Sequence, residues 1–63
     1  MFKVGNCVRL SSDEASIRSI VFLVVELDNN FATIENKEGK RFIIDRRFLK
    51  YDYESTFSFY SQK

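Results

Sequence analysis

Few residue types in this chain are able to do covalent chemistry, and Cys7 is the most reactive of them. A cysteine nucleophile needs its thiolate, which a neighbouring base, usually histidine, generates. The chain has no histidine and no second cysteine. We therefore read Cys7 as a small hydrophobe at a strand position. One cysteine also rules out an internal disulfide, and structural zinc needs several Cys or His ligands. The nine Asp and Glu residues could supply a carboxylate pair or a magnesium site, but Asp13, Glu14 and Asp28 fall in ordinary polar loops. Gly5 and Gly39 are the only glycines, too few for a phosphate-cradling loop. The residues predict no enzyme, no cofactor and no metal.

The uneven distribution of charge is more informative. Between Lys37 and Lys50 lie six cations (Lys37, Lys40, Arg41, Arg46, Arg47 and Lys50) against Glu38 and Asp45, a local balance of +4. The remainder carries four cations against seven anions, or −3, so the chain as a whole is only +1. A hairpin and corner presenting Arg46, Arg47 and Lys50 together would hold phosphates or an acidic partner surface. Alternatively, these side chains blunt an edge strand and keep it in solution. Phe42, Phe48, Tyr51 and Tyr53 interleave with them, as rings do in single-strand nucleic-acid binders. In so short a chain, Phe42 and Phe48 are expected to fill the core, while Tyr51, Tyr53 and Tyr60 keep their phenol tips wet.

The elements that must position these groups read mainly as strands. Sixty-three residues allow one domain with a thin stability margin. With 44% apolar and 16% aromatic residues, the composition is that of a folded globule. Val4 to Leu10 reads as a first strand with Gly5-Asn6 as a turn or bulge, and Ser11 to Ser19 as a polar loop with room for one helical turn. Ile20 to Leu27 is β-branched and aromatic, which favours a central strand. A helix from Ile17 would use Ile17, Ile20, Val21 and Val24, but Asp28-Asn29-Asn30 follows as a hairpin turn tolerant of positive φ. Phe31 to Glu35 alternates, with Ala32 and Ile34 on one face. Asn36 to Gly39 is a second turn, Lys40 to Ile44 a further strand and Asp45 to Leu49 a corner. The expected core is Val4, Val8, Leu10, Val21, Leu23, Val25, Ala32, Ile34, Phe42, Ile44 and Leu49. Ile20, Phe22 and Val24 are then exposed unless the tail covers them.

The C-terminal segment carries two periods at once. Tyr51, Tyr53, Phe57 and Phe59 alternate with polar residues, as in a half-buried strand, whereas Leu49, Tyr53, Phe57 and Tyr60 fit a helix face. The aromatic content favours the strand. If the body is too small to cover Phe57, Phe59 and Tyr60, they form a partner surface; otherwise the segment closes the sheet. A free strand edge there would also let two copies pair about a two-fold axis, burying Phe57 and Phe59 in a homodimer.

Taken together, Val4-Gly5-Asn6 with Val8 and Leu10, then Val24-Val25, and finally Phe42 to Leu49 resemble an SH3-like small barrel over residues 2 to 51. More narrowly they are similar to the small bacterial YodC-like proteins. The likeness implies an all-β fold, a small SH3-like barrel or strongly bent antiparallel sheet of four to five strands, in a small bacterial or phage-type protein. Residues 1–51 would be the barrel and 52–63 an aromatic extension. The tail lies outside the likeness, Asn6 stands where the family has Asp, and the hairpin glycine of the related KOW domains is missing.

The functional expectation is a non-catalytic binding module, a regulator or inhibitor of a larger assembly with an unidentified protein partner. Its site would draw on Lys40, Arg41, Arg46, Arg47, Lys50, Tyr51, Tyr53, Phe57, Phe59 and Tyr60. The alternative is a nucleic-acid-binding small barrel using residues 37–50, and a homodimer is compatible with either. The longest apolar run, Ile20 to Val25, is far below the roughly 20 residues of a membrane helix, and no signal-peptide pattern opens the chain. A cytoplasmic location without membrane association is expected.

Overall fold

Two hairpins built by the same device set the topology. In the computed structural model, which describes residues 2–61, strands β2 (Phe22–Leu27) and β3 (Phe31–Glu35) are joined by Asp28-Asn29-Asn30. The Asp28 carboxylate accepts from the Asn30 and Phe31 N–H groups at 3.0 and 2.9 Å. No described non-glycine residue has positive φ, so the turn rests on this side chain and not on the left-handed backbone that Asn tolerates. Between β3 and β4 (Arg41–Asp45), the Asn36 amide oxygen accepts from Glu38 and Lys40 N–H in the same manner. There Gly39 takes φ +85°, a conformation open to glycine at no steric cost.

The remaining strands are β1 (Cys7–Leu10) and β5 (Leu49–Tyr51). All five strands form one unclosed antiparallel sheet in the order β4-β3-β2-β1-β5. Helix α1 (Ala15–Arg18) is a single turn in the polar loop, and Arg46–Phe48 form a 3-10 turn between β4 and β5. Helix α2 (Tyr53–Ser61) follows β5 directly. The all-β expectation of a small antiparallel sheet holds for the body of the protein.

The core consists of Val8, Phe22, Val24, Ala32, Ile34 and Leu49, with Phe2, Leu10, Leu27 and Ile44 packed around it. Fully burying each of the larger side chains contributes about 1.5–3 kcal/mol. Val8, Ala32, Ile34 and Leu49 were expected inside. The central strand is the correction, because Phe22 and Val24 point inward while Val21, Leu23 and Val25 are only half-buried. The run is apolar on both faces, so alternation does not choose between the two sets, and a β-bulge then changes the parity within it. Val24 pairs with Ile34 and Glu26 with Thr33, so Val25 is an extra residue and the inward set shifts from Phe22 and Val24 to Leu27. Val4 is exposed because the chain turns at Val4-Gly5 before β1 begins. Phe42, on the outermost strand, packs edge to face with Phe22 at a ring-centre distance of 6.1 Å but stays exposed, and Phe48 is likewise exposed.

The C-terminal segment is a helix and not the strand favoured by its alternation. Asp52 caps it, its carboxylate accepting from Ser55 N–H at 3.0 Å, and Glu54 stands in the first turn, where the helix dipole favours negative charge. With no strand at Tyr53–Tyr60, the strand-edge pairing of two tails is removed.

Candidate binding surface

The strand order separates residues that are neighbours in sequence. Strands β4 and β5 are the two edges of the sheet, so Lys40 and Arg41 belong to one edge and Lys50 and Tyr51 to the other, with Arg46 and Arg47 on the short turn that joins them. Lys40 lies over the Phe42 ring, and Arg41 pairs with Glu35 at 2.9 Å. Arg46 donates to the Asp28 carbonyl at 2.8 Å and lies over the Phe2 ring. Arg47 forks onto the Asp45 carboxylate through Nε and Nη2 while lying over Phe48. This contact raises the Arg47 pKa and, with the Arg47 main-chain N–H, holds Asp45 below the usual carboxylate range.

Lys50 has different neighbours. It sits opposite Arg9 in the β1–β5 ladder, a like-charge pair that Asp52 relieves by accepting from Arg9 Nε. Burial pushes the Asp52 pKa up, but hydrogen bonds from Ser55 and the Arg9 guanidinium outweigh it and leave the carboxyl below its ordinary value. Arg18, held by the Ser12 and Asp13 carbonyls, joins Lys50 and Tyr51 around a shallow depression. Arg9, Arg18 and Asp52 were not among the expected site residues. Arg9 and Asp52 meet only through the β1–β5 pairing, which no local pattern announces.

The aromatic residues form two groups. Tyr51, Tyr53 and Phe57 make a continuous ladder, with ring centres 6.3 and 6.2 Å apart, running from β5 onto the first turns of α2. Phe59 and Tyr60 pack edge to face at 5.0 Å, and the Tyr60 hydroxyl donates to the Gly5 carbonyl at 2.7 Å. An amphipathic helix ordinarily buries its apolar stripe. Helix α2 does the reverse: Thr56 is 8% exposed, while Tyr53 and Phe57 are 64% and 62% exposed. Phe59 and Tyr60 are also more than half outside.

Cys7 is buried against α2, and desolvation raises its pKa. Among the described residues no cluster of three or more His, Cys, Asp or Glu side chains could hold a metal ion. No helix of the described residues is long and apolar enough to cross a membrane. No protein-family model matches the chain, and neither a curated protein nor a solved structure is significantly similar to it.

Proposed function

We propose that this chain is a cytoplasmic, non-catalytic protein-binding module that engages its partner through Tyr51, Tyr53 and Phe57, with Lys50 and Arg18 at the rim. The carrying observation is the inverted helix: α2 buries Thr56 and leaves Tyr53 and Phe57 outside. Contiguous exposed rings with a polar border are the composition of partner surfaces, where aromatic anchors dominate the binding energy. The rings touch one another and stand on hydrogen-bonded elements, so little conformational freedom is lost on docking. The partner chemistry that fits is an apolar segment flanked by acidic groups, which would meet Lys50 and Arg18. A regulator or inhibitor of a larger assembly needs only such a surface. Small barrels host many unrelated activities, so the SH3-like resemblance leaves the function to the site. Nucleic-acid binding through residues 37–50 draws less support, because Arg41 and Arg47 are engaged by Glu35 and Asp45.

The test is affinity capture with the wild-type chain beside a Tyr53→Ser, Phe57→Ser double variant that retains the wild-type far-UV spectrum. A protein held by the first and lost from the second supports the reading. Equal capture by both, or salt-dependent binding of single-stranded oligonucleotide by the wild type, overturns it.

A further inference from the structure

The free edge of β4 is self-complementary, and the geometry points to a symmetric dimer in which two copies pair β4 with β4 antiparallel about Ile43. In an antiparallel ladder, alternate residues turn N–H and C=O toward the partner strand and away from it. Phe42 pairs with Ile34 and Ile44 with Ala32, and the rungs beyond them are Asn36 N–H to Lys40 O and Arg46 N–H to Asn30 O. These rungs place Phe42 and Ile44 in the bonded positions toward β3. Arg41, Ile43 and Asp45 therefore turn their main-chain groups outward, along an edge that no other strand occupies. Among the described residues, no loop or turn hydrogen bond engages those groups either.

The side chains fit the same register. Pairing about Ile43 sets Arg41 opposite Asp45 of the second copy at both ends, Ile43 opposite Ile43, and Phe42 opposite Ile44. Outward-facing residues meet outward-facing residues, so the register also satisfies the hydrogen-bond pattern. A shift by one residue would not. The order basic, apolar, apolar, apolar, acidic reads as its own complement when reversed, which is the requirement of an isologous interface. Opposite charges directly across a strand pair stabilise it, and like charges oppose it; in the dimer Arg41, paired with Glu35 in the monomer, would stand between two carboxylates, and Asp45, paired with Arg47, between two guanidinium groups. Ile43 is exposed on the outer face and Phe42 is part-exposed on the inner one, and pairing gives each an apolar neighbour across the strand pair. Strand β4 carries no proline, bulge or inward-pointing charge to close its edge, and its two charged residues, Arg41 and Asp45, are of opposite sign, so they repel a second copy only out of this register. A net charge of +1 adds little repulsion. The edge lies across the sheet from the Tyr51–Phe57 ladder, so this inference is independent of the proposed function.

Sedimentation equilibrium from micromolar to millimolar concentration tests it. The wild type is expected to dimerise reversibly. Arg41→Asp alone and Asp45→Arg alone each set like charges opposite one another and should raise the dissociation constant about tenfold or more. Mixed one to one, the two variants restore opposite charges at both ends and should form a heterodimer; general damage to folding would not be repaired by mixing. Ile43→Lys, at an exposed position, keeps the test open if either charge variant unfolds: it places two lysines together on the axis and should leave a folded monomer. A wild type that stays monomeric at millimolar concentration, an Ile43→Lys variant that still dimerises, or a mixture of folded charge variants that stays monomeric overturns the inference.

Discussion

The main-chain N–H of Cys7 donates to the Thr56 hydroxyl at 2.7 Å, and this bond across 49 residues is buried where α2 meets the sheet. In the β1–β5 ladder the bonded rungs fall at Ser11–Phe48, Arg9–Lys50 and Cys7–Asp52, and Asp52 N–H duly donates to Cys7 O at 3.0 Å. The return bond of that last rung is split. Thr56 Oγ1 accepts from Cys7 N–H and donates to the Asp52 carbonyl at 2.9 Å. A helix residue thus completes a strand ladder where β5 has ended, and the small polar face of α2 must turn inward to do so. Its rings are left outside as a consequence.

Thr56→Val keeps the shape of the side chain and removes both bonds, stranding the buried Cys7 N–H. Leaving such a donor without a partner costs about 1–3 kcal/mol. Thr56→Ser keeps both bonds and loses one methyl, worth about 0.8 kcal/mol. Urea unfolding should therefore rank the stabilities wild type, then Ser, then Val, with the slope against urea unchanged. A valine variant as stable as the wild type would mean that the hydroxyl plays no part in holding α2.

The hairpins were legible because their signals are local. Alternation at Phe31 to Glu35 put Ala32 and Ile34 on one face, and both are buried. The inward set of β2 was not legible, since the bulge at Val25 arises from pairing with β3 and reverses the parity of a run apolar on both faces. At Tyr51 to Tyr60 the two periods coincide in the aromatic positions. What selects the helix is the Asp52 cap together with the bond to Cys7, and only the first of these is readable from sequence. The basic segment shows a different limit. Lys40 and Lys50 flank a corner that carries the chain from one edge of the sheet to the other, a placement set by strand pairing and not by any local pattern.

Acid should weaken the fold chiefly through Asp52. Its pKa lies below the ordinary carboxylate value of about 3.9, so the folded state binds a proton less readily than the unfolded chain. The stabilisation is complete above that value and is lost as pH falls through the lower folded pKa. Asp28 and Asp45 shift in the same direction, through turn hydrogen bonds and Arg47 respectively, but Asp28 is exposed and Asp45 more open to solvent than Asp52, so both contribute less. Asp52→Asn keeps a residue able to cap α2 while removing the charge that faces Arg9. Thermal midpoints followed from neutral pH down to pH 2 should then show a shallower acid decline for Asp52→Asn than for wild type. Parallel declines would assign the acid sensitivity to other carboxylates.

Gly5 and Tyr60 are coupled through space, and the two glycines allow that coupling to be isolated. Gly5 and Gly39 both sit at positive φ, +94° and +85°, where any side chain is strained by roughly 1–2 kcal/mol. A Cβ built at Gly39 meets nothing within 4 Å, so Gly39→Ala should cost that backbone term alone. A Cβ at Gly5 falls 2.7 Å from the Tyr60 hydroxyl, the same group that donates to the Gly5 carbonyl. Gly5→Ala should therefore displace the ring and forfeit a hydrogen bond worth about 0.5–1.5 kcal/mol in addition to the strain. Tyr60→Phe removes both the bond and the obstructing oxygen. In that background Gly5→Ala should cost no more than Gly39→Ala, leaving a coupling energy between positions 5 and 60 equal to the excess seen in the wild type. Four urea titrations measure the cycle, with Gly39→Ala as the reference. Additive costs at positions 5 and 60 would show that the Tyr60 hydroxyl does not hold the end of α2 against the Gly5 turn.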